Sequence, residues 1–412
     1  MLTKGWDTIS IVKQERINSD LASMWDSLNP NFTYSSNDPG AIKIDGKFGC
    51  WSIINGGGGR ILRIKVPIKS GNLSLGQTKI SLEGTSATIE ITLSLIPTQN
   101  NSSVLVTEYK NLARNRSEMT PAKNGWLLPV TFLDPSGQIG IYSNLVLDSI
   151  CQFLLSNPSQ IELIFAKINF AKSGSPNWAI PKRCAYSYLD SGYLTILSVC
   201  TDRDISQLPL DVDVAGIPIG LSSFYVMSSE LMLENLILPG LIDIYQNCTP
   251  QNFFIIERQL LNRNNLRLHE IKSGAIYYTP IVYKEKNISR VEGDRIRVYY
   301  IGDCDMYAGI TMYWNGNVRM NALLDNNGSI LFLKDGSSFS HNEDIPWYLK
   351  WLLPIVGLIV EIVVKVISSD LINSIENRSS SIKADNINTV TWCNDQSVVK
   401  SVYISESLVL EY

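Results

Sequence analysis

The chain has 412 residues, 45% of them hydrophobic and 18% charged, so it carries enough apolar side chains for a sizeable core and is not disordered by composition. Thirty-five basic and thirty-nine acidic residues give a net charge of −4 without a dense Lys/Arg run, which argues against nucleic-acid binding and against electrostatic docking on anionic lipid. At about 150 residues per domain, this length predicts two or three domains, with a single large β-rich fold as the alternative.

The N-terminal residues do not have the form of a secretory signal, because charge returns at Lys13 before a long apolar stretch develops. We therefore expect a chain made in the cytosol, or one released by a route that needs no such signal. Seven cysteines stand singly, without a CxxC pair, and their total is odd. This pattern predicts reduced, mostly buried thiols rather than a disulfide framework or a zinc site.

The first half begins with a strand and a helix and continues mostly as strands. Residues 7–12 alternate in polarity, and in residues 14–28 the apolar positions recur every three or four residues. Residues 32–141 are rich in β-branched side chains and turn residues, which predicts an antiparallel meander. A second helix is predicted over residues 145–157, ended by Pro158, with further strands after it.

A long apolar helix is predicted to begin at Ser228, which has the character of an N-cap, and to kink near Pro239 and Gly240. The segment YVMSSELMLENL from Tyr225 aligns loosely with SIVKQERINSDL from Ser10, and both change from strand to helix at the same point. Two related modules explain this match, and chance similarity is the alternative.

The most apolar segment of the chain, IPWYLKWLLPIVGLIVEIVVKVISSDL, covers residues 345–371. A membrane-spanning helix needs about twenty apolar residues, whereas this stretch is soon interrupted by Glu361 and Lys365. On a helix its charged residues share one narrow stripe, and the rest of the circumference is apolar. We predict a helix lying along a sheet, and three alternatives stay open: a filled core, a lipid-lined channel, or interfacial insertion through its two tryptophans.

The sequence predicts no catalytic centre, metal site or cofactor. The two histidines, His269 and His341, are far apart, and His341 with Glu343 and Asp344 is expected to cap a following helix rather than to bind a metal. The four glycines Gly56–Gly59 lead into an alternating strand instead of a helix, so they predict a turn rather than a phosphate-binding loop.

Several stretches, taken in order, resemble a known family. They are GWDTISI, GCWSIINGGGGRILRIKVPI, the block from IELIFAKINF to PNWAIPKRCAYSYLD, and FYVMSSELMLENLILPGLIDIY. They are similar to the forty-seven-kilodalton clostridial proteins of the TULIP (tubular lipid-binding) superfamily, which are encoded beside botulinum-type neurotoxin genes together with the OrfX proteins. The resemblance spans nearly the whole chain and rests on order and coverage rather than on one motif.

The resemblance implies an α+β fold of two TULIP-like modules, each with long helices wrapped by strongly curved antiparallel β-sheets. We predict the modules at residues 1–205 and 206–412, and strands that exchange between them are compatible with this division. The resemblance also implies a non-enzymatic accessory role in a toxin gene cluster, OrfX-type proteins as partners, and synthesis in the bacterial cytoplasm. It supplies no catalytic residues.

In distant relatives of the superfamily the space between helix and sheet holds lipid acyl chains, so the resemblance implies a phospholipid or a fatty acid as ligand. The residues predicted to line such a site are apolar positions on the two predicted helices: Leu233, Leu236, Ile237, Leu353, Val356, Ile359, Ile362 and Val363. The alternative is a structural assembly protein of a toxin complex, whose core is filled by side chains and holds no lipid.

Overall fold

The computed structural model describes residues 2–36, 42–120, 123–214, 222–273, 275–306, 309–344, 368–393 and 397–412. Strands dominate these residues, and their neighbours in the sheets are almost all antiparallel. The predicted antiparallel meanders are therefore confirmed for both halves of the chain.

The strands of the first half are β1 (Thr8–Lys13), β2 (Asn31–Ser35), β3 (Ile42–Phe48), β4 (Ser52–Gly58), β5 (Ile61–Leu75), β6 (Thr78–Ser81), β7 (Ser86–Thr98), β8 (Ser102–Thr107), β9 (Asn111–Leu112), β10 (Trp126–Leu133), β11 (Ile164–Asn169), β12 (Arg183–Leu189) and β13 (Tyr193–Val199). Those of the second half are β14 (Ser223–Met227), β15 (Phe253–Ile256), β16 (Gln259–Asn262), β17 (Leu266–Arg267), β18 (Ile271–Ser273), β19 (Ile276–Tyr278), β20 (Ile281–Glu292), β21 (Arg295–Asp305), β22 (Thr311–Leu324), β23 (Ile330–Asp344), β24 (Val390–Trp392), β25 (Ser401–Ile404) and β26 (Leu408–Glu411).

The helices are α1 (Gln14–Met24), α2 (Arg116–Met119), α3 (Ser143–Ser156), α4 (Ser229–Met232), α5 (Leu238–Ile242), α6 (residues 368–379) and α7 (Ala384–Ile387). A π-helical segment, Leu233–Ile237, joins α4 to α5. The helices predicted over residues 14–28 and 145–157 are confirmed as α1 and α3. The described helices are short, since the longest of them, α3, has 14 residues. Residues 345–367 of the most apolar segment lie outside the described part.

A six-stranded sheet, the central sheet, combines strands from both halves of the chain, in the order β12-β13-β1-β14-β26-β25. Its middle pair, β1 and β14, is antiparallel, and Ser10 lies opposite Tyr225. These are the two residues with which the aligned segments begin. Each strand leads directly into a helix, α1 after β1 and α4 after β14, so both predicted strand-to-helix transitions are confirmed.

The two other large sheets draw mainly on one half each. Strands β2 to β11 belong to an 11-stranded sheet, which β24 from the C-terminal region joins beside β11. A 7-stranded sheet has the order β15-β16-β20-β21-β22-β23, with β17 beside β20. One hydrophobic cluster lies against the 11-stranded sheet and includes Trp392 of β24, and another lies against the 7-stranded sheet. The division at residues 205 and 206 stays a prediction.

His341 and Asp344 belong to β23, which pairs with β22 as far as Thr311 opposite Asp344. The ladder of main-chain hydrogen bonds extends the strand through residues whose polar character indicates a loop. The helix that these residues are expected to cap falls on residues 345–367, outside the described residues, so the capping role stays a prediction. The glycines Gly56–Gly59 lie where predicted, at the hairpin between β4 and β5.

Candidate functional site

Three of the eight residues predicted to line a lipid site belong to the π-helical segment between α4 and α5. Leu233, Leu236 and Ile237 are 0%, 1% and 0% exposed and belong to the hydrophobic cluster of the second half. A π-helical turn is rare and occurs mostly as a single turn, often at functional sites. The remaining five lie outside the described residues: Leu353, Val356, Ile359, Ile362 and Val363.

The helix that carries these leucines begins at a well-formed N-cap. The side-chain oxygen of Ser228 accepts a hydrogen bond from the backbone N–H of Leu231 at 3.2 Å, as the sequence predicts. Arg258, in the turn between β15 and β16, donates from Nε to Ser229 Oγ at 3.0 Å. Its Nη2 donates to the carbonyl oxygen of Glu406 at 2.6 Å, in the turn between β25 and β26. One guanidinium group thus fixes the helix start to two hairpins.

The other end of this helix crosses α6 in direct contact. A Cβ atom added to Gly240 would lie 2.6 Å from the Cα atom of Ile375, so the two backbones approach closely because position 240 has no side chain. Beside this crossing, Arg378 donates from Nε and Nη2 to Asp243 at 2.6 and 2.9 Å. These hydrogen bonds hold the pKa of the Asp243 carboxyl below its usual value.

Aromatic side chains on the inner face of the 7-stranded sheet lie in the same cluster as the π-helical segment. Tyr300 and Trp314, on adjacent strands, are 1% and 2% exposed, with ring centroids 6.5 Å apart. Trp314 also stacks on Phe339 of β23, with centroids 5.8 Å apart. The neighbouring inward positions Gly302 and Gly316 have no side chain, which leaves room for rings to lie against the sheet. A Cβ atom added to Gly302 would lie 3.0 Å from the ring of Trp314, and one added to Gly316 would lie 2.6 Å from the ring of Phe339.

The titratable side chains in the described part of this cluster are tyrosines and cysteines. Burial raises the pKa of Tyr245 and of Tyr300 far above their usual value. Burial, assisted by the nearby carboxylates of Asp305 and Asp303, raises the pKa of the Cys304 thiol to about 12. These groups are therefore uncharged at neutral pH. The buried side of the π-helical segment is apolar and electrically neutral, whereas its Glu234 is exposed.

Buried charge occurs in the first half, but as a paired network. The carboxylate of Glu90 on β7 is 1% exposed and accepts hydrogen bonds from Arg63 Nε at 2.9 Å and from Arg116 Nε at 2.7 Å. Arg116 also donates to the carbonyl oxygen of Gly56. The network therefore ties α2 and the glycine turn to the 11-stranded sheet, which is a structural role.

Three surface recesses are lined mainly by described residues of the first half. One of about 900 Å³ lies between the glycine turn and the β12–β13 hairpin, with Tyr188 and Asp190 in its wall. A second of about 640 Å³ lies beside the glycine turn, with Arg116 in its wall. A third of about 250 Å³ lies beside the end of α1, with Trp25 and Phe48 in its wall. None of the three is lined by the predicted residues Leu233, Leu236 and Ile237.

Within the described ranges, no group of three or more His, Cys, Asp or Glu side chains is arranged to hold a metal ion. The seven cysteines, all inside those ranges, are thiols, as predicted, and four of them are buried. The search for a helix long and apolar enough to cross a membrane finds none among the residues that the structure describes.

Sequence reasoning did not identify the inward-facing polar and aromatic residues of β20 to β22. Asn287 and Ser289 are 0% exposed, although they stand at positions that a regular alternation starting from the buried Val282 assigns to the solvent side. The pairing of β20 with β21 shifts between Val282 and Asn287, at a bulge where Glu285 has a φ of +58°. The signal available in the sequence is the run of three charged residues, Lys284, Glu285 and Lys286, which interrupts the alternation of β20.

The fold and this site define a class of mostly β proteins. Its features are antiparallel sheets, one sheet built from strands of both halves, and a short helix whose buried side is apolar and neutral. The chain belongs to the OrfX-like family, since the family profile described as Protein OrfX2/OrfX3/P47 matches residues 3–369. The resemblance inferred from the sequence is thereby confirmed at the level of the family.

Relatives and solved structures agree with this assignment. Over 316 residues the chain is 28% identical to Protein P47 of Clostridium botulinum (strain Kyoto / Type A2), covering 72% of this chain and 71% of the relative. It is 25% identical over 283 residues to Protein OrfX3 of Paraclostridium bifermentans, spanning 62% of this chain and 57% of that protein.

Two crystal structures have the same fold along nearly the full length. P47 from Clostridium botulinum A2 superposes with a TM-score of 0.75 at 23% identity, covering 99% of this chain and 97% of that one. P47 of Clostridium botulinum E1 gives a TM-score of 0.75 at 24% identity, covering 99% and 98%.

Proposed function

We propose that this chain is a non-enzymatic accessory protein of a toxin gene cluster that binds a lipid in the apolar space between helix and sheet. Membership of the OrfX-like family supports the accessory role and makes OrfX-type proteins its expected partners. The two TULIP-like modules, synthesis in the bacterial cytoplasm, and a phospholipid or fatty acid as ligand belong to the same proposal.

The observation that carries the lipid proposal is the π-helical segment at Leu233–Ile237. Residues predicted as lipid-lining from sequence fall on a wide helical turn, buried by a sheet whose inner face is neutral. A wide turn inside a buried helix sacrifices regular i to i−4 hydrogen bonding, and such turns occur frequently at functional sites. An apolar ligand with a compact polar end matches these surroundings.

Lipid extraction of the purified full chain, with native mass spectrometry and flotation on phosphatidylcholine vesicles, tests the proposal. We expect a co-purifying lipid or uptake from the vesicles. No bound lipid and no flotation, with or without phosphatidylglycerol in the vesicles, contradicts it.

A matched pair of variants locates the site. Leu236→Phe adds volume beside the π-helical turn, whereas Leu21→Phe adds the same volume to α1, at the position with which Leu236 aligns. Each change overpacks a buried site at a cost of about 1–3 kcal/mol. We expect Leu236→Phe to reduce lipid content and Leu21→Phe to leave it unchanged; equal effects would locate the lipid elsewhere.

Assembly with another protein through a strand edge is the second candidate function. The observation that favours it is β23, 15 residues long, which ends the described strand order of the 7-stranded sheet and is largely exposed from Leu333 onward. An uncovered edge strand offers main-chain donors and acceptors to an added strand. Replacement of Ser338 by Pro, which removes one main-chain donor, should weaken a complex with an OrfX-type protein and leave lipid content unchanged. Wild-type affinity of this variant contradicts the edge-strand role.

A further inference from the structure

Four buried polar atoms on the inner face of the 7-stranded sheet make no hydrogen bond to the residues that the structure describes. They are Asn287 Oδ1, Ser289 Oγ, Tyr300 Oη and Trp314 Nε1. The four side chains are between 0% and 2% exposed. Buried polar atoms in folded proteins nearly always have a partner. Other unpartnered atoms occur singly elsewhere, as at Trp51 Nε1 and Trp392 Nε1, but these four lie on three adjacent strands of one sheet face.

These atoms belong to one neighbourhood. Asn287 lies directly opposite Tyr300 in the register of β20 and β21. Ser289 is the next inward residue along β20, and the ring of Trp314 on β22 lies 6.5 Å from that of Tyr300. The amide nitrogen of Asn287 is already used, because it donates to the hydroxyl of Tyr245 at 2.6 Å. The unpartnered atoms therefore lie beside a completed hydrogen bond.

The chemistry of the four atoms defines a complementary group. Trp314 offers a donor, Tyr300 and Ser289 each offer a hydroxyl that donates or accepts, and Asn287 Oδ1 accepts. A hydroxyl group accepts two hydrogen bonds and donates one, so it matches up to three of these four atoms. A charged group does not fit, because the tyrosines and the cysteine around it are neutral and burial of an uncompensated charge is costly.

The rest of the cluster is apolar and includes the π-helical residues Leu233, Leu236 and Ile237. We propose that the polar cluster of Asn287, Ser289, Tyr300 and Trp314 binds the uncharged, hydroxyl-bearing end of a single-chain lipid inside the second half of the molecule. This inference rests on the proposed lipid-binding function, and it names both the ligand class and the residues that hold its polar end.

The test compares two probes of equal length, oleyl alcohol and 1-octadecene, delivered from cyclodextrin to the delipidated full chain. Tyr300→Phe and Trp314→Phe each remove one hydrogen-bonding group and keep an aromatic ring. Loss of one neutral hydrogen bond corresponds to about a three- to tenfold weaker binding. We expect that loss for oleyl alcohol in both variants and no change for 1-octadecene.

A matched control is Tyr186→Phe in the first half, since the Tyr186 hydroxyl accepts from the N–H of Leu93 at 2.6 Å and donates to the carbonyl of Arg60 at 2.8 Å. This variant should be less stable without ligand but bind both probes normally. Tyr300→Phe should be as stable as the wild type without ligand, because it loses no hydrogen bond.

The outcomes separate the two proposals. If the wild type binds neither probe and carries no lipid, the lipid function itself fails. If it binds oleyl alcohol and both variants bind it equally well, the lipid function stands and the polar cluster is not the anchor. A ligand-free Tyr300→Phe protein as destabilised as Tyr186→Phe shows that ordered water satisfies the hydroxyl, which also overturns the anchor.

Discussion

The replacement Glu90→Gln tests whether the buried charge network holds α2 and the glycine turn on the first sheet. Glu90 is 1% exposed, while its partners Arg63 and Arg116 are 29% and 49% exposed. Removal of one member of a fully buried ion pair costs about 3–5 kcal/mol. Because both arginines reach solvent, we reduce the expected loss of unfolding free energy to about 2–3 kcal/mol.

Urea denaturation followed by intrinsic fluorescence measures this loss, with Glu83→Gln as the control. Glu83 is an exposed glutamate beside the same sheet, and its replacement should change stability by less than about 0.5 kcal/mol. Equal stability of Glu90→Gln and the wild type would refute the structural role of the network.

The same network predicts how the stability of the folded protein changes as the pH falls. Burial by itself would raise the pKa of Glu90, but the hydrogen bonds from Arg116 and Arg63 outweigh it and hold the pKa below its usual value. A depressed pKa in the folded state stabilises the protein above the usual glutamate range near pH 4.5, and this contribution is lost as the pH falls through the folded pKa. Glu90→Gln should therefore lose less stability than the wild type between about pH 5 and pH 3.

Three further predictions concern single residues. Gly240→Ala should lower the free energy of unfolding by about 1–3 kcal/mol in urea denaturation, because its Cβ would press on the backbone of Ile375. Helix propensity alone predicts a gain of about 1 kcal/mol, and such a gain would show that α6 does not cross there. Ser228→Ala should cost about 1 kcal/mol by the loss of the cap to Leu231, and Ser228→Asp should restore it. Native protein should leave Cys151 unreacted with a thiol reagent, because burial raises its pKa well above the usual value; rapid labelling would contradict its burial.

Local patterns in the sequence were sufficient to predict α1, α3, the N-cap at Ser228 and the hairpin at Gly56–Gly59. In each case the deciding information lies within a few residues: a 3.6-residue period, a capping side chain, or glycines between alternating strands. Ser10 and Tyr225, with which the aligned segments begin, lie opposite each other in the six-stranded sheet. The two related modules stay a prediction.

The polar cluster on the second sheet could not be predicted because it depends on a bulge. Regular alternation from Val282 puts Ile288 inside and Ser289 outside, but the structure has the opposite arrangement. A shift of one residue exchanges the two faces of a strand. The positive φ at Glu285 marks where this happens, and a glutamate gives no warning of a backbone conformation that glycine or asparagine normally adopts.

His341 illustrates a different limit. The run from Gly336 to Asp344 is polar and rich in serine, which is typical of a loop, yet it forms the end of β23. It pairs with the preceding strand β22 in one long hairpin, and the ladder as far as Thr311 opposite Asp344 keeps this run extended. Cross-strand pairing of this kind overrides local preference.

The π-helical segment has a cause that connects the sequence to the proposed site. Pro239 has no N–H, and its ring would clash with the carbonyl of the residue four positions earlier, Asn235, in a regular α-helix. Asn235 lies within the π-helical segment, where the wider turn moves that carbonyl away from the ring, and its side-chain amide donates to the carbonyl of Leu231 at 2.9 Å. The proline that predicts a kink in the sequence thus also gives a physical reason for a widened turn. Leu236 and Ile237 lie in this turn with their side chains buried in the neutral cluster, so one proline helps to shape the proposed lipid site.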